Sequence, residues 1–378
     1  MNKIDKIYQT ADDRNKFGFV KLKDVCNINM GQSPDSDSYN DNEDGIPFFQ
    51  GNADFGEKYP TTRKWCNAPT KIAHAEDILI SVRAPIGALN YAKEECCIGR
   101  GLAAITPNQD KVSSGFIYWL LKGKHKELNL QGTGSTFKAI SRKVLEEIKV
   151  PDIELKKQTE LAGSLEKVYS VIQLRKQQLE ELDILIKARF VEMFGDPIQN
   201  EKNWSRRSLE QLCHSIVDCP HSTPNYISED TGFMCIRTSV VKKNKILWDE
   251  IEYIVEDEFN QRIQRKRPEK GDIVYTREGA ILGIAAIIDR NCNVALGQRS
   301  MLLSPDSSVC TSEFICTAMN SDSFLSNALR GISGSASPHI NVGDIKSFEM
   351  IAPPLELQRK FSEFNSQVDK FQLIFHIF

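Results

Sequence analysis

The chain has 378 residues, of which 40% are hydrophobic and 26% are charged, and its formal net charge is −3. These values are typical of globular proteins, and the length favours two or three domains with their own cores. The slightly acidic balance counts mildly against a non-specific nucleic-acid coat, and it allows positive charge that is confined to one face. The longest apolar run, residues 280–288, is far shorter than the roughly 20 residues of a membrane helix.

The start of the chain and its cysteines predict a compartment. Residues 1–5 lead into polar sequence rather than an apolar signal core, so we expect no targeting segment. The ten cysteines lack the spacing of a disulfide framework, and no Cys-x-x-Cys occurs. This pattern is typical of reduced, buried thiols, and we therefore expect a cytoplasmic protein that does not contact the membrane.

The first predicted domain covers residues 1–152. Short apolar stretches alternate with clusters of Gly, Pro, Asn and Asp, which predicts short strands joined by loops. A helix is predicted over residues 114–130, where the apolar side chains share one face.

A long heptad helix is predicted over residues 158–194, within a central segment of residues 153–196. Its apolar residues recur at alternating steps of four and three, and the helix ends at Gly195, with Pro197 just beyond. At 1.5 Å per residue it would reach about 55 Å. The seam positions that we expect to dock a partner subunit are Leu165, Ile172, Leu179, Ile186 and Met193.

The second predicted domain, residues 197–352, has the same texture as the first, with a helix predicted over residues 313–330. A second heptad helix is predicted over residues 355–378, in a C-terminal segment of residues 353–378. Because each apolar seam must be buried, we expect the two heptad helices to form an intramolecular coiled coil that spaces the domains. The second helix would reach only about 36 Å, so it is either naturally short or truncated. The unmatched turns of the first helix then need another apolar surface, most simply a partner subunit.

The two predicted domains repeat one another. The matched segments are residues 77–83 with 272–277, 99–107 with 297–305, 134–140 with 334–340, and 151–155 with 353–357. The offset drifts from 195 to 202 while the order never changes. A period of this length indicates a duplicated domain rather than a solenoid, and two similar surfaces suggest a target with two parts.

With these motifs the chain resembles the specificity subunits of type I restriction–modification systems. The segments that carry the resemblance are Gly-Gln-Ser-Pro at 31–34, Gly-Ile-Pro-Phe at 45–48, residues 77–87, 98–103, 220–224 and 271–279, and the Pro-containing entries into both heptad helices. The resemblance covers residues 19–372. It implies an α+β fold in which two similar target-recognition domains, built of short strands plus helices, are separated by long coiled-coil helices. Each domain would read one half of an asymmetric, bipartite DNA site, and the helices would set the gap.

The resemblance also implies partners and a non-catalytic role. The expected partners are double-stranded DNA, methyltransferase subunits and, where one is present, a restriction translocase subunit. The chain itself would carry no cofactor or metal, because S-adenosylmethionine, and ATP and Mg for restriction, would belong to those subunits. The sequence also lacks the Asn/Asp-Pro-Pro-Tyr/Phe loop of adenine methyltransferases and a nuclease carboxylate–lysine set.

Candidate DNA-binding residues lie in the repeated loops, where Arg and Lys suit phosphates and guanine, and small polar side chains suit the backbone. They are Gln32, Ser33, Arg83, Arg100, Ser135, Thr136, Lys138, His221, Ser222, Thr223, Arg277, Arg299, Ser333, Ser335 and His339. The alternative is that these arginines tie loops together and the Gly/Ser segments are ordinary turns. The basic run at residues 262–270 is likewise either a phosphate contact or a solvated surface.

Two other classes of function stay open. One is a self-contained DNA methyltransferase or nuclease, which binding of S-adenosylmethionine by the purified chain would indicate. The other is a scaffold whose domains bind only proteins, which a failure to enrich a two-part DNA site would indicate.

Overall fold

A computed structural model describes residues 18–133, 138–279, 281–330 and 338–377, with side chains described as far as residue 372. The chain divides into two compact units, Met1–Gln173 and Leu174–Phe378. The predicted boundaries after residues 152, 196 and 352 stay predictions. Within the described ranges, none of the helices combines the length and the apolar character that crossing a membrane requires.

The first unit consists of short strands and short helices followed by the start of a long helix. Its strands are β1 (Phe19–Lys21), β2 (Cys26–Met30), β3 (Tyr39–Asn40), β4 (Ile46–Phe49), β5 (Trp65–Cys66), β6 (Ile72–Ala73), β7 (Ile78–Ser81), β8 (Leu89–Tyr91), β9 (Cys96–Ile98), β10 (Leu102–Pro107) and β11 (Lys149–Pro151). Its short helices are α1 (Leu22–Val25), α2 (Ser114–Gly123), α3 (His125–Gln131) and α4 (Arg142–Glu146).

A four-stranded antiparallel sheet in the order β2-β10-β7-β8 forms the centre of the first unit. Helix α2 covers one face, and Ile80, Ile105 and Ile117 belong to the same buried apolar cluster. A second sheet in the order β3-β5-β4-β9-β6 carries the loops that approach β10. β-Branched and aromatic residues in short runs account for the strands, because such side chains pack well on a half-buried pleated surface.

The long helix α5 (Leu155–Phe194) has 40 residues and begins three residues before the predicted start. Residues 155–173 belong to the first unit and residues 174–194 to the second.

The second unit repeats the architecture of the first. Its strands are β12 (Arg206–Ser208), β13 (Cys213–Asp218), β14 (Met234–Ile236), β15 (Val241–Lys242), β16 (Lys245–Ile246), β17 (Glu252–Tyr253), β18 (Ile273–Thr276), β19 (Ala285–Ile287), β20 (Val294–Leu296), β21 (Ser300–Pro305) and β22 (Glu349–Ile351). Its helices after α5 are α6 (Leu209–Leu212), α7 (Glu256–Arg262), α8 (Ser312–Met319), α9 (Asp322–Ala328), α10 (Val342–Lys346) and α11 (Leu355–Ile377).

The sheet order β13-β21-β18-β19 of the second unit matches the order of the first, and β12 pairs with β22 as β1 pairs with β11. In each unit one parallel pair, β4 with β9 and β14 with β20, leads into the strand that starts at residue 102 or 300. The predicted duplication is therefore a duplication of topology.

The two heptad helices pack against each other, antiparallel, inside the second unit. Phe361 of α11 lies between Phe190 and Phe194 of α5, with ring centroids 5.5 and 5.6 Å away. Farther along, the Gln372 amide donates to Asp183 over 2.9 Å. The predicted coiled-coil pairing is thus present over the second part of α5, where burial of apolar rings stabilises it.

Two predicted helices are wrong in their extent. The helix predicted over residues 114–130 is broken at Lys124 into α2 and α3, because Gly123 weakens the helix where the chain turns. The helix predicted over residues 313–330 is broken into α8 and α9, because the Ser321 hydroxyl accepts a hydrogen bond from the Phe324 N–H and caps a new helix there.

Candidate nucleic-acid interface

Loops of the first unit converge at one end of its four-stranded sheet. Strands β2 and β7 end there and β10 begins there, as antiparallel neighbours must. Backbone hydrogen bonds join the loops: Gly31 N–H donates to the Leu102 carbonyl (2.9 Å) and Val82 N–H donates to the Gly101 carbonyl (2.9 Å). We call residues 31–33, 83–85, 99–101 and 138–139 the first loop cluster.

Glycines allow this convergence. A Cβ atom at Gly31 would lie 2.2 Å from the Gly99 carbonyl oxygen, and one at Gly101 would lie 2.4 Å from that of Gln50. A side chain would not fit at such distances, so only glycine allows the backbones of these loops to pack directly against each other.

The first loop cluster presents polar side chains to solvent. Gln32, Arg83, Arg100 and Lys138 are all exposed. The Lys138 carbonyl accepts a hydrogen bond from Ala84 N–H over 3.0 Å, which brings Lys138 beside the Arg83 loop. Ser33 differs from these four, because its hydroxyl oxygen is buried with no hydrogen-bond partner among the described residues.

The second unit builds the same arrangement at the equivalent end of its sheet. Cys219 N–H donates to the Ser300 carbonyl (3.2 Å) and Arg277 N–H donates to the Arg299 carbonyl (3.0 Å). Burial raises the pKa of the Cys219 thiol, which therefore stays protonated among these backbone groups. We call residues 219–223, 277–279, 297–299 and 338–339 the second loop cluster.

Five predicted residues are exposed in the second loop cluster: His221, Ser222, Thr223, Arg299 and His339. The Thr223 hydroxyl donates to the Gln298 side chain over 3.2 Å, which joins two of its loops. Arg299 adopts a left-handed backbone conformation with φ of 70°, which is uncommon for a side chain of this size.

Arg277 is buried, unlike the other predicted cations. Its guanidinium donates to both carboxylate oxygens of Asp218, over 2.9 and 3.2 Å, and lies 2.9 Å from the Glu278 carboxylate. The Oδ2 atom of Asp218, which accepts one of these bonds, also lies 3.1 Å from His221 Nε2. These are the contacts of a residue that ties loops together, and direct contact of Arg277 with DNA stays a prediction.

Hydrogen bonds show which residues of the two loop clusters are equivalent. This equivalence differs by one residue from the one that the repeated sequence motifs suggest. Ile140 N–H donates to the Val82 carbonyl, as Ile340 N–H donates to the Arg277 carbonyl, both over 2.9 Å. Arg277 therefore corresponds to Val82, and Arg83 corresponds to Glu278. In the strand pairing of the first unit Met30 lies opposite Ala103, and at the equivalent place in the second unit Asp218 lies opposite Met301. Met30 therefore corresponds to Asp218. An apolar pair in the first unit is thus replaced by an ion pair in the second.

Helix α7 holds the loop of residues 221–225 in place. Arg262, with only 3% of its side chain exposed, donates to the Ser222 carbonyl over 2.9 Å and to Glu258 over 3.2 Å. Glu258 in turn accepts the Asn225 N–H over 3.1 Å. Sequence reasoning assigned Arg262 to a basic surface run and did not identify Glu258. Their spacing of four residues on a helix is the signal that indicates the pair.

Four of the predicted DNA-binding residues lie outside the described residues: Ser135, Thr136, Ser333 and Ser335.

The predicted docking residues of α5 divide into two groups. Leu165 and Ile172 are each 46% exposed, whereas Ile186 and Met193 are 8% and 9% exposed because α11 and the second core cover them. Leu179 is half-buried. Of these five predicted residues, Leu165 and Ile172 present the most apolar surface to solvent.

The sequence model of the type I restriction modification DNA specificity domain matches residues 15–183 and 201–376. The two matches cover most of the chain and follow its duplication. The chain therefore belongs to the family of type I restriction–modification specificity subunits. The resemblance inferred from the motifs and the predicted α+β fold with two similar domains are both confirmed.

Curated relatives and a solved structure agree with this family. A Methanocaldococcus jannaschii protein, assigned as the MjaX type I restriction enzyme specificity subunit, is 43% identical over 41% of the chain and 37% of its own length. The EcoBI specificity subunit of Escherichia coli is 20% identical over 90% of the chain and 77% of its own length. The crystal structure of the type I restriction–modification S subunit from M. genitalium superposes with a TM-score of 0.60, covering 96% of the chain and 92% of that protein at 14% identity. This last likeness shows the shared fold.

Proposed function

We propose that the chain is the DNA sequence-specificity subunit of a type I restriction–modification complex, in which each loop cluster reads one half of a bipartite, asymmetric site. The observation that carries this proposal is the pair of loop clusters, built by the same hydrogen bonds at the same end of two matching sheets. Exposed cations and amides at such loops suit phosphate oxygens and base edges. Because the side chains of the two clusters differ, the two half-sites would differ.

The second loop cluster combines exposed side chains that could contact DNA with buried arginines that hold its loops in place. Arg299 and His339 are exposed and could contact phosphates or bases. The guanidinium groups of Arg277 and Arg262 instead donate to Asp218 and to the Ser222 carbonyl. A fixed loop keeps its donors in one register with the bases, which favours discrimination over general affinity.

The helices would set the gap between half-sites and dock methyltransferase subunits, together with a translocase where one exists. The exposed apolar face at Leu165 and Ile172 suits docking, since partner surface would remove it from water. The chain would act without catalysis, and the chemistry of methylation or cleavage would belong to its partners in the cytoplasm.

Selection of DNA from a random pool by the purified full-length chain tests the proposal. We expect enrichment of one site with two specified halves and an unspecified gap of constant length. Enrichment of no common sequence would contradict sequence reading and favour the protein-binding scaffold. Binding of S-adenosylmethionine by the chain alone, measured by calorimetry, would favour a self-contained methyltransferase.

A further inference from the structure

A buried glutamine occupies the same position at the start of each heptad helix. Gln158 of α5 is 2% exposed and Gln358 of α11 is 1% exposed. Both lie in the first turns of long helices, in which Gln177, Gln178 and Gln367 are exposed. A buried amide must satisfy its donors and acceptor inside the protein, so its hydrogen bonds define its surroundings.

The hydrogen bonds of the first amide connect α5 to α2. The Oε1 atom of Gln158 accepts the N–H of Ser113, the residue that precedes α2, over 2.9 Å. Its Nε2 atom donates to the carbonyls of Ile153, over 2.8 Å, and Lys111, over 3.3 Å. One side chain thus joins the entry of the long helix to the entry of the helix that covers the four-stranded sheet.

The second amide makes the same set of bonds. The Oε1 atom of Gln358 accepts the N–H of Thr311, the residue that precedes α8, over 3.0 Å. Its Nε2 atom donates to the carbonyls of Pro353, over 2.8 Å, and Val309, over 3.5 Å. In both junctions the amide and all three of its backbone partners lie at equivalent positions, so the arrangement belongs to the duplicated fold.

Packing one turn farther along strengthens each junction. A Cβ atom at Gly115 of α2 would lie 3.2 Å from the Ala162 Cβ of α5, so the two helices approach closely there. In the second unit the Ser362 hydroxyl donates to the Glu313 carboxylate over 2.8 Å. Three directional bonds plus a close contact fix both the tilt and the rotation of a helix, which a purely apolar contact does not.

We propose that Gln158 and Gln358 are positioning residues that fix the direction in which each heptad helix leaves its recognition unit, and thereby the gap length that the chain accepts. This inference rests on the proposed function. A change of one base pair in the gap moves the half-sites by about 3.4 Å and rotates them by about 35°, so only rigid junctions let the chain reject it.

The test measures binding of the full-length chain to its selected site with the gap lengthened or shortened by one or two base pairs. The variants are Gln158→Glu, which keeps the acceptor for Ser113 but loses the donors, and Gln158→Met, which keeps only the length. The same pair is made at Gln358. Gln178→Glu, on the exposed surface of α5, is the matched control.

We expect the variants at Gln158 and Gln358 to keep both half-site sequences while their preference for the native gap falls about tenfold, the equivalent of one lost buried hydrogen bond. The control should keep the native preference. An unchanged gap preference, or a loss of binding that is equal at every gap, would overturn the role of the glutamines. A wild-type chain that shows no gap preference at all would instead contradict the proposed function.

Discussion

Arg262 differs from the other cations of its basic run because its side chain is buried and its donors face inward. It holds the Ser222 carbonyl and pairs with Glu258, which in turn holds Asn225. The pair holds the second loop cluster from its buried side. Substituting either residue should therefore alter the shape of the loop rather than the charge of the surface.

Replacing Arg262 by Met should therefore reduce discrimination at the second half-site and leave the first half-site unchanged. It should also cost about 2–4 kcal/mol of unfolding free energy, because Glu258 is left without its partner. The dependence of the binding constant on salt should not change, since Arg262 touches no phosphate in this account. Fluorescence titrations at several salt concentrations, with cognate and half-substituted DNA, measure these effects.

Two controls separate this role from phosphate binding. Arg290→Met removes an exposed cation that pairs with Asp289 and should leave discrimination intact. Lys138→Ala, in the first loop cluster, should lower the salt slope by about 0.9 if Lys138 meets one phosphate. A similar drop in slope for Arg262→Met would show that Arg262 contacts the DNA backbone itself.

The pair of Arg277 and Asp218 permits a double-mutant cycle, because the first unit carries Val82 and Met30 at the equivalent positions. Removing one partner, by Arg277→Val or Asp218→Met alone, should destabilise the second unit by about 1–3 kcal/mol, since the remaining charge keeps only its second partner, His221 for Asp218 or Glu278 for Arg277. The double substitution should recover most of that loss, as apolar replacements of buried ion pairs often do. Chemical denaturation of the four proteins measures the coupling, and additive losses would contradict it.

At the scale of elements, the apolar stripe of α5 has two environments. Ile186, Phe190 and Phe194 are buried against α11 and the second core, whereas Leu165 and Ile172 remain exposed. We propose that the two parts of the stripe serve two different partners, α11 inside the chain and a methyltransferase subunit outside it.

Charge on the exposed part of this stripe should block assembly without harming DNA reading. In Leu165→Glu with Ile172→Glu we expect affinity for the methyltransferase subunits to fall at least about 100-fold, because two buried apolar contacts are replaced by charges. Sedimentation of the mixed subunits measures assembly, and the selected DNA site measures reading. Lys176→Glu, on the same helix, controls for charge alone, and unchanged assembly of the double variant would refute docking at this face.

Asp369 makes the α5–α11 pair sensitive to pH. Although Asp369 is exposed, partial loss of water around its carboxyl and the nearby carboxylates of Glu313, Asp289 and Asp183 raise its pKa to about 6. Because the folded pKa lies above the unfolded value of about 3.9, the folded state binds the proton more tightly and loses stability as the pH rises through 6.

Asp369→Asn should therefore stabilise the second unit above pH 6, and the advantage should vanish towards pH 4. We expect about 1 kcal/mol at pH 7.5, less than the shift alone implies because water reaches the side chain. Thermal melts of the variant and the wild type at pH 4.5, 6 and 7.5 measure the difference. Glu363→Gln, exposed on the same helix, should show no such trend, and a constant difference for Asp369→Asn would contradict the assignment.

The elements could largely be predicted from sequence, since heptad periodicity and turn residues are local signals. The long helix was predicted to within three residues of its start, and the repeated motifs located both loop clusters. The break at Lys124 was missed because the apolar face continues through it. The burial of Arg277 and Arg262 was missed for another reason: their partners Asp218 and Ser222 lie 59 and 40 residues away, and only tertiary structure brings them together.

On the scale of the whole molecule, one chain carries two units of the same topology with differing loops. Exchange of residues 17–152 for the equivalent segment of another family member should change one half-site and leave the other intact. Selection of DNA by the chimaera measures this, and a change in both halves would contradict the independence of the two loop clusters.

Removing the exposed cations of one loop cluster at a time tests whether the two loop clusters read DNA separately. The first variant replaces Arg83, Arg100 and Lys138 by Ala, and the second replaces Arg299 and His339 by Ala. DNA selected by each variant is then sequenced beside DNA selected by the wild type. We expect each variant to lose one half of the consensus, a different half in each case, while the other half persists. Loss of both halves in either variant, or retention of both halves in both variants, would contradict a chain that reads DNA with two separate loop clusters.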